Sequence, residues 1–383
     1  MPARIEMSAP AAPINKAPRV LHLVPAMFGS DGAMGGAERY AFELARHMAE
    51  TVPTTLLSFG NRDRLETIGP LRVRVLGHPW YVRGQRFNPV AWPMFAELRR
   101  ADVIHCHQQH ILASSLAALA GRLGGRRVFV SDLGGGGWDI SAWISTDRWF
   151  NGHLHISDYS RAIAGHRGEP WAHVIMGGVD TDKFSPAAEL QPGGPALFVG
   201  RLLPHNGVNY LIEALPEGMR LEIVGQAGES RYFDELKRIA AGKPVEFRQD
   251  CDDAALVAHY RRARCIVLPS VYRTIYGDET RVPELLGQTL LEGMASGIPA
   301  VCTRVANLPE VVEDGVSGFV VAPNDPSAIR DRLCWLRDNP GPAAAMGAAA
   351  RQRVLERFTW PAVVKRCLAI YAGQTPHDAP PAG

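Results

Sequence analysis

Short apolar runs alternate with stretches of helical spacing from Arg19 almost to the end of the chain. An apolar run that short fits a buried parallel strand, and the amphipathic stretch between two of them fits the helix that returns the chain to the same end of a sheet. The fold class is therefore α/β. RVLHLVP (19–25), TTLLSF (54–59), DVIHCH (102–107) and RVFVSD (127–132) read as strands, with helices predicted over 37–48 and 112–123. The pattern breaks at FSPAAELQPGGP (184–195), whose Pro and Gly content marks an interdomain linker. It then resumes: ALFVGR (196–201), RLEIVG (220–225), VEFRQ (245–249) and CIVLPS (265–270) read as strands, with helices around 210–215 and 253–262. In FTWP (358–361) a capping Thr and a Pro in the first turn predict a last helix to about Tyr371.

A chain of 383 residues is long enough for two cores. The expected organisation is a tail over 1–18, Rossmann-like domains over 19–187 and 195–357, a crossover helix over 358–373 and a second tail over 374–383. Two such halves facing each other form a cleft, and ligands of open α/β sheets bind at the C-terminal ends of the strands.

The apolar fraction of 46%, the charged fraction of 21% and the net charge of +2 are those of an ordinary globular protein. Lys and Arg are spread out rather than gathered into a basic stripe, which argues against nucleic acid as a partner. A loose arginine-rich stretch over 62–127 reads as a solvated face, with weak peripheral contact to anionic lipid or an acidic acceptor as the alternative. The six cysteines form no CxxC pair and fit a reducing compartment. Residues 1–18 hold no apolar signal-peptide core, and no stretch approaches the ~20 apolar residues of a membrane span. A cytoplasmic location is expected.

The most informative segment is VPELLGQTLLEGMASGIPAVCT (282–303). Gly287 and Gln288 precede a short apolar helix predicted over 289–295, and Gly297 is placed to end it. Glu284 lies in the approach loop and Glu292 in the helix. Eight helical residues span about 12 Å. Paired carboxylates of glycoside hydrolases sit about 5–9.5 Å apart, so the two glutamates read as contacts along one elongated ligand. The helix start between them offers backbone N–H groups and a positive dipole end, a seat for phosphate. An anion flanked by hydroxyl-rich groups describes a nucleotide sugar.

Gly35 and Gly36 open a helix after the first strand, where bare backbone suits close approach of a phosphate or sugar and equally suits a plain turn. His105 and His107 share one face of a strand, with His110 beyond it. His-x-His is metal-ligand spacing, but no pair of carboxylates nearby completes a site, so no metal and no cofactor are expected. GGGGWDISAWISTDRWF (134–150) places Trp138, Trp143 and Trp149 in one loop, suited to an acceptor pocket and equally to ordinary packing.

Glu284-x7-Glu292 followed by Gly-Met-Ala-Ser-Gly-Ile-Pro resembles the signature of the retaining GT-B glycosyltransferases of family 4 (glycosyl transferases group 1). VGRLLPHNGVNYLIEAL (199–215), LPEVVEDGVSGFVV (308–321), GGVDTDKFSP (177–186) and the FTW lead-in to the last helix extend the resemblance. The first half matches more loosely, through GGAE (35–38) and DVIHCH. The resemblance implies a GT-B fold, two Rossmann-like domains with a C-terminal helix crossing back to the first, and transfer of a hexose-type sugar from UDP or GDP with retention and without metal. It implies that Glu292 binds ribose and Glu284 the transferred sugar. Gly287, Gln288, Thr289 and Leu290 would hold sugar hydroxyls and the distal phosphate, Arg201 would neutralise the diphosphate, and Gly35 and Gly36 would lie against the donor. His107 would face the cleft near the reacting sugar. The acceptor is open: a small molecule, a lipid-linked glycan or another saccharide.

The chain departs from the family pattern at Asn206, which replaces the usual lysine beside the diphosphate, at Gly177, where Asn is usual, and at 131–134, which lacks a histidine. His205, when protonated, is the expected substitute for the missing charge. A nucleotide-sugar 2-epimerase or a donor-binding protein with weak transfer activity is the alternative. A nicotinamide dehydrogenase is disfavoured, because no GxGxxG follows the first strand.

Overall fold

A computed structural model describes residues 17–27, 36–134, 137–187 and 193–374. The chain divides into two units: the first holds the described residues up to His155 with Gly168–Ile175 and the chain from Val364, the second Ile156–Arg167 and Met176–Val363.

The first unit contains β1 (Val20–Met27), α1 (Gly36–Ala49), β2 (Thr54–Gly60), β3 (Arg64–Ile68), β4 (Leu71–Gly77), the short pair β5 (Trp80–Tyr81) and β6 (Pro89–Val90), α2 (Met94–Arg100), β7 (Val103–Cys106), α3 (Leu112–Leu123), β8 (Arg127–Val130) and β9 (Gly152–His155). The chain then gives α4 (Asp158–Ile163) to the second unit and returns for β10 (Ala172–Val174). The sheet order is β10-β9-β8-β7-β1-β2-β4-β3. Its pairings are parallel except the β3–β4 hairpin, and β7 is buried throughout, as an apolar run in a covered parallel sheet must be.

That hairpin shows what holds part of the arginine-rich stretch. Arg72 and Arg74 stand on β4 and Arg100 ends α2. All three converge on the buried carboxylate of Glu97, at 2.9 Å, 4.0 Å and 2.7 Å. Part of the stretch is thus anchored on one buried carboxylate, while Arg100 and Arg72 remain solvent-exposed. Burial pushes the Glu97 pKa up, but Arg72, Arg100 and Arg74 outweigh it and hold the carboxyl below its ordinary value. A carboxyl with a depressed folded pKa stabilises fully above its unfolded pKa, and that contribution is lost as pH falls through the folded value. Glu97→Gln is therefore expected to cost about 2 kcal/mol at neutral pH, discounted for the partly exposed arginines. The gap from wild type in urea unfolding should close as pH falls through the folded pKa of Glu97, and a gap independent of pH would contradict this account.

The second unit contains α4, β11 (Ala196–Val199), α5 (Val208–Ala214), β12 (Leu221–Val224), α6 (Ser230–Ala240), β13 (Val245–Arg248), α7 (Asp253–Arg262), β14 (Cys265–Leu268), α8 (Gln288–Ala295), β15 (Ala300–Thr303), α9 (Leu308–Val311), β16 (Gly318–Val321), α10 (Pro326–Asp338) and α11 (Pro340–Arg357). Its sheet runs β13-β12-β11-β14-β15-β16, all parallel. The last helix, α12 (Trp360–Tyr371), begins in the second unit, while its residues from Val364 belong to the first. Among the described residues no helix is long and apolar enough to cross a membrane.

Two glycines shape the C-terminal edge of the second sheet. Gly200 and Gly225 follow β11 and β12 at φ 155° and 148°. A Cβ on Gly225 would lie 1.9 Å from the carbonyl oxygen of Gly200. The two strand ends therefore touch backbone to backbone, which glycine alone permits at that φ.

Candidate donor site

The segments that follow β11 and β14 in the second unit carry most of the sequence-derived candidates. After β11 the chain passes Arg201 and turns through Pro204–Asn206 into Gly207, the left-handed N-cap of α5. Asn206, which replaces the family lysine, donates from Nδ2 to the carbonyl of Arg201 at 2.5 Å, while Arg201 itself is exposed. The asparagine thus ties the loop to itself. His205, half-buried beside it, is held below its ordinary pKa, chiefly by burial and also by Arg201, against the opposing pull of Glu284 and Glu229. That shift runs against His205 supplying the lost charge at neutral pH.

After β14 the chain forms an excursion before Gly287, again left-handed at φ 67°, starts α8 with no side-chain cap. Glu284 folds back over the turn: its Oε1 accepts from the backbone N–H groups of Leu285, Leu286 and Gly287 at 3.0, 3.3 and 3.1 Å. Of the amides expected at a ligand, that of Gly287 is thus engaged by Glu284 itself. Those of Gln288 and Thr289 open the helix, where no carbonyl four residues back belongs to it. Gln288 reaches sideways with Nε2 to the carbonyl of Gly178 at 3.2 Å, and Leu290 packs inward. Glu292, one face further along α8, is 3% exposed and accepts from the hydroxyl of buried Tyr260 on α7 at 2.8 Å.

Gly177 has a local cause. A Cβ there would come within 2.3 Å of Cδ1 of Leu286, so this departure from the usual Asn accommodates a leucine packed next to the Glu284 turn.

The histidine candidate lies in the first unit. His107 is 3% exposed, directly after β7, and its Nε2 meets Nδ1 of His22 at 2.8 Å. His22 Nε2 faces the sulfur of Met48 at 3.3 Å, and a thioether only accepts. The network therefore assigns the protons: His22 donates to Met48, His107 donates to His22, and the Nδ1 lone pair of His107 is left without a partner among the described residues. His105 is held at both nitrogens, by Ser131 Oγ at 2.9 Å and the Tyr371 hydroxyl at 2.7 Å. Since Ser131 gives its only proton to the carbonyl of Leu154, His105 donates to Ser131 and accepts from Tyr371. Burial pushes all three imidazoles down, His22 to about 3, so they are neutral.

Ligating nitrogens of His22, His105 and His107 lie within 4.8 Å of one another. Recruiting them to a metal would mean breaking these hydrogen bonds, and the donor set fits the hydrogen-bonded network better. Gly36, the first residue of α1, is exposed, and a Cβ there would meet nothing within 4 Å among the described residues. Gly35 lies outside the described residues. Sequence reasoning missed Tyr260, Tyr371 and His22. The one available signal was His22 itself, a polar residue inside the apolar run RVLHLV.

The family profile described as Glycosyl transferases group 1 matches residues 184–353, and that described as Glycosyltransferase Family 4 matches residues 34–183. A GDP-mannose-dependent alpha-(1-6)-phosphatidylinositol monomannoside mannosyltransferase of Mycolicibacterium smegmatis is 30% identical over 285 residues, covering 68% of this chain and 73% of that protein. The chain belongs to the group 1 glycosyltransferases. A glycogen synthase of Mycobacterium tuberculosis is 31% identical over 207 residues, 52% of this chain, and the match spans about half of that relative, 47%. Among solved structures, HepE of Anabaena in complex with UDP and glucose aligns with a TM-score of 0.67 at 19% identity, covering 93% of this group 1 chain and all of that one. Sucrose-phosphate synthase of Thermosynechococcus elongatus aligns at 0.69 and 19% identity, covering 93% and 98%. The fold is GT-B, with two Rossmann-like domains.

Proposed function

We propose that the chain transfers a hexose-type sugar from a UDP- or GDP-linked donor to an acceptor hydroxyl, with retention at the anomeric carbon and without metal. The observation that carries this is the turn at Glu284: a carboxylate aimed at the start of an uncapped helix, with Glu292 farther along the same helix. In this reading Glu284 contacts the transferred sugar and Glu292 the ribose. Gln288, Thr289 and the dipole of α8 face the distal phosphate, and the exposed guanidinium of Arg201 neutralises the diphosphate as it leaves. With Asn206 and His205 uncharged, Arg201 carries that charge alone among the residues of its loop. Retention follows if the departing phosphate takes the acceptor's proton on the face it leaves.

Gly36, exposed at the start of α1, is where this reading puts bare backbone against the donor. The unpartnered Nδ1 of His107 suits a substrate hydroxyl. The mannosyltransferase and the glycogen synthase among the relatives favour transfer over epimerisation, and reducing-compartment chemistry fits a cytoplasmic enzyme. Arg201→Ala and Glu292→Gln are each expected to weaken binding of UDP- or GDP-sugar about tenfold in calorimetry. Unchanged affinity in both would remove the assignment. Turnover that collapses in chelator and returns with a divalent ion would refute the metal-free part.

A further inference from the structure

The first unit holds a depression of about 400 Å³ that the donor chemistry does not use, lined by Arg83, Gln85, His110, Trp138, Asp139 and Ser141. Its size falls in the range of small-ligand sites. His110 follows β7 and Trp138 follows β8, so it sits beyond the C-terminal ends of adjacent parallel strands.

The depression is built rather than incidental. Asn88, fully buried, joins three segments: its Nδ2 donates to the carbonyl of Trp138 at 2.6 Å, and its Oδ1 accepts from the N–H of Leu112 at 3.0 Å. The N–H of Gly137 binds the carbonyl of His110 at 2.8 Å, fixing one post-strand loop against the other. Asp139, 1% exposed, spends its carboxylate on the hydroxyls of Ser115 and Ser141 and on the N–H of Ser141.

What remains free defines the ligand. Ser141 gives its proton to Asp139, so it accepts from His110 Nδ1 at 3.0 Å, and Nε2 of the same ring is left to meet a hydroxyl. Gln85 Oε1 accepts from the N–H of Trp138 at 2.9 Å and from Asn88 Nδ2 at 3.2 Å, which leaves its amide N–H groups as donors. Arg83 lies with its guanidinium 4.2 Å from the centre of the Trp138 ring and has no carboxylate partner among the described residues. Its φ of 52° is a conformation that an L residue holds only where its surroundings over-determine it. Trp143 stands edge-on to Trp138, ring centres 5.0 Å apart, and buttresses that ring. The set comprises one hydroxyl acceptor, one amide donor, one planar cationic fork and an aromatic face.

We infer that this depression is a subsite for the acceptor, and that the acceptor there is a saccharide bearing an anionic group, carboxylate or phosphate, bound by Arg83. The inference rests on the transferase reading. The guanidinium fork matches either oxyanion in a bidentate way, while Gln85 and His110 bind ring hydroxyls and the indole covers a C–H face.

Saturation-transfer NMR of the full chain with glucuronic acid, glucose 6-phosphate and glucose tests it, alongside calorimetry with UDP and GDP on the same preparations. One or both acids should bind with dissociation constants on the order of 1 mM, and glucose more weakly. Arg83→Gln should weaken the acid about tenfold or more and Arg83→Lys less, with nucleotide binding unchanged. Preference for the uronic acid assigns the carboxylate, and preference for the phosphate ester assigns the phosphate. Acids that bind no better than glucose, absence of any binding, or an Arg83→Gln variant equal to wild type overturns the inference. Loss of nucleotide binding in the wild type would instead sink the transferase reading.

Discussion

Glu284→Ala is expected to lower kcat for sugar transfer by about 10²–10³-fold, the range seen when an organised charge-stabilising contact is removed from an active site. Two effects combine in this variant. The carboxylate that would meet the sugar is lost, and so is the acceptor that holds three successive amides in the turn before α8. Glu284→Gln separates them, since an amide oxygen can still take those N–H groups while the charge is gone. If charge toward the sugar dominates, Gln should be nearly as slow as Ala with a Tm close to wild type. If the turn dominates, Gln should restore most of the rate. A kcat for Glu284→Ala within about threefold of wild type would exclude Glu284 from the reacting centre.

Gly225→Ala is expected to cost about 4 kcal/mol or more, among the largest losses a single methyl group can cause. The added carbon would fall 1.9 Å from the carbonyl oxygen of Gly200, and both partners are backbone, so no rotamer relieves the clash. A φ of 148° adds strain for any L residue. The strand ends that would have to separate are those that lead into the Arg201 loop. Nucleotide binding should therefore disappear along with stability. Urea unfolding settles it, and a midpoint equal to wild type would show that the two strand ends are not held in contact.

The α/β alternation was legible because covered parallel strands are uninterrupted apolar runs, as in DVIHCH and CIVLPS. Helix α3 appears over the predicted residues, whereas β3 does not stand out, since Leu65, Glu66 and Thr67 are exposed and the run carries no apolar period. Glu284, Gly287 and Glu292 could be found because their spacing is local. The fold-back of Glu284 onto its own turn, the hold of Tyr260 on Glu292 and the neutral state of His205 were hidden, because each depends on burial or on a partner far away in sequence. The shared counter-charge of part of the arginine-rich stretch was hidden for the same reason: Glu97 gathers arginines from a strand and a helix.

The closing turn of α12 carries a consequence for how the protein is made. Tyr371 bonds His105 and lies 4.9 Å, ring to ring, from Phe129, while its carbonyl takes Arg127, and Cys367 and Ile370 are buried with it. These contacts all belong to the first unit, yet they come from chain that is synthesised after the second. A ribosome that has finished β1 to β10 has released a sheet whose histidine network still lacks its final hydroxyl. Domains commonly fold in order as they emerge, but this one cannot complete its core until the second unit has been translated. A fragment ending at the linker should therefore be born with an open seam over His105 and Phe129, and supplying 358–374 as a separate peptide should close it.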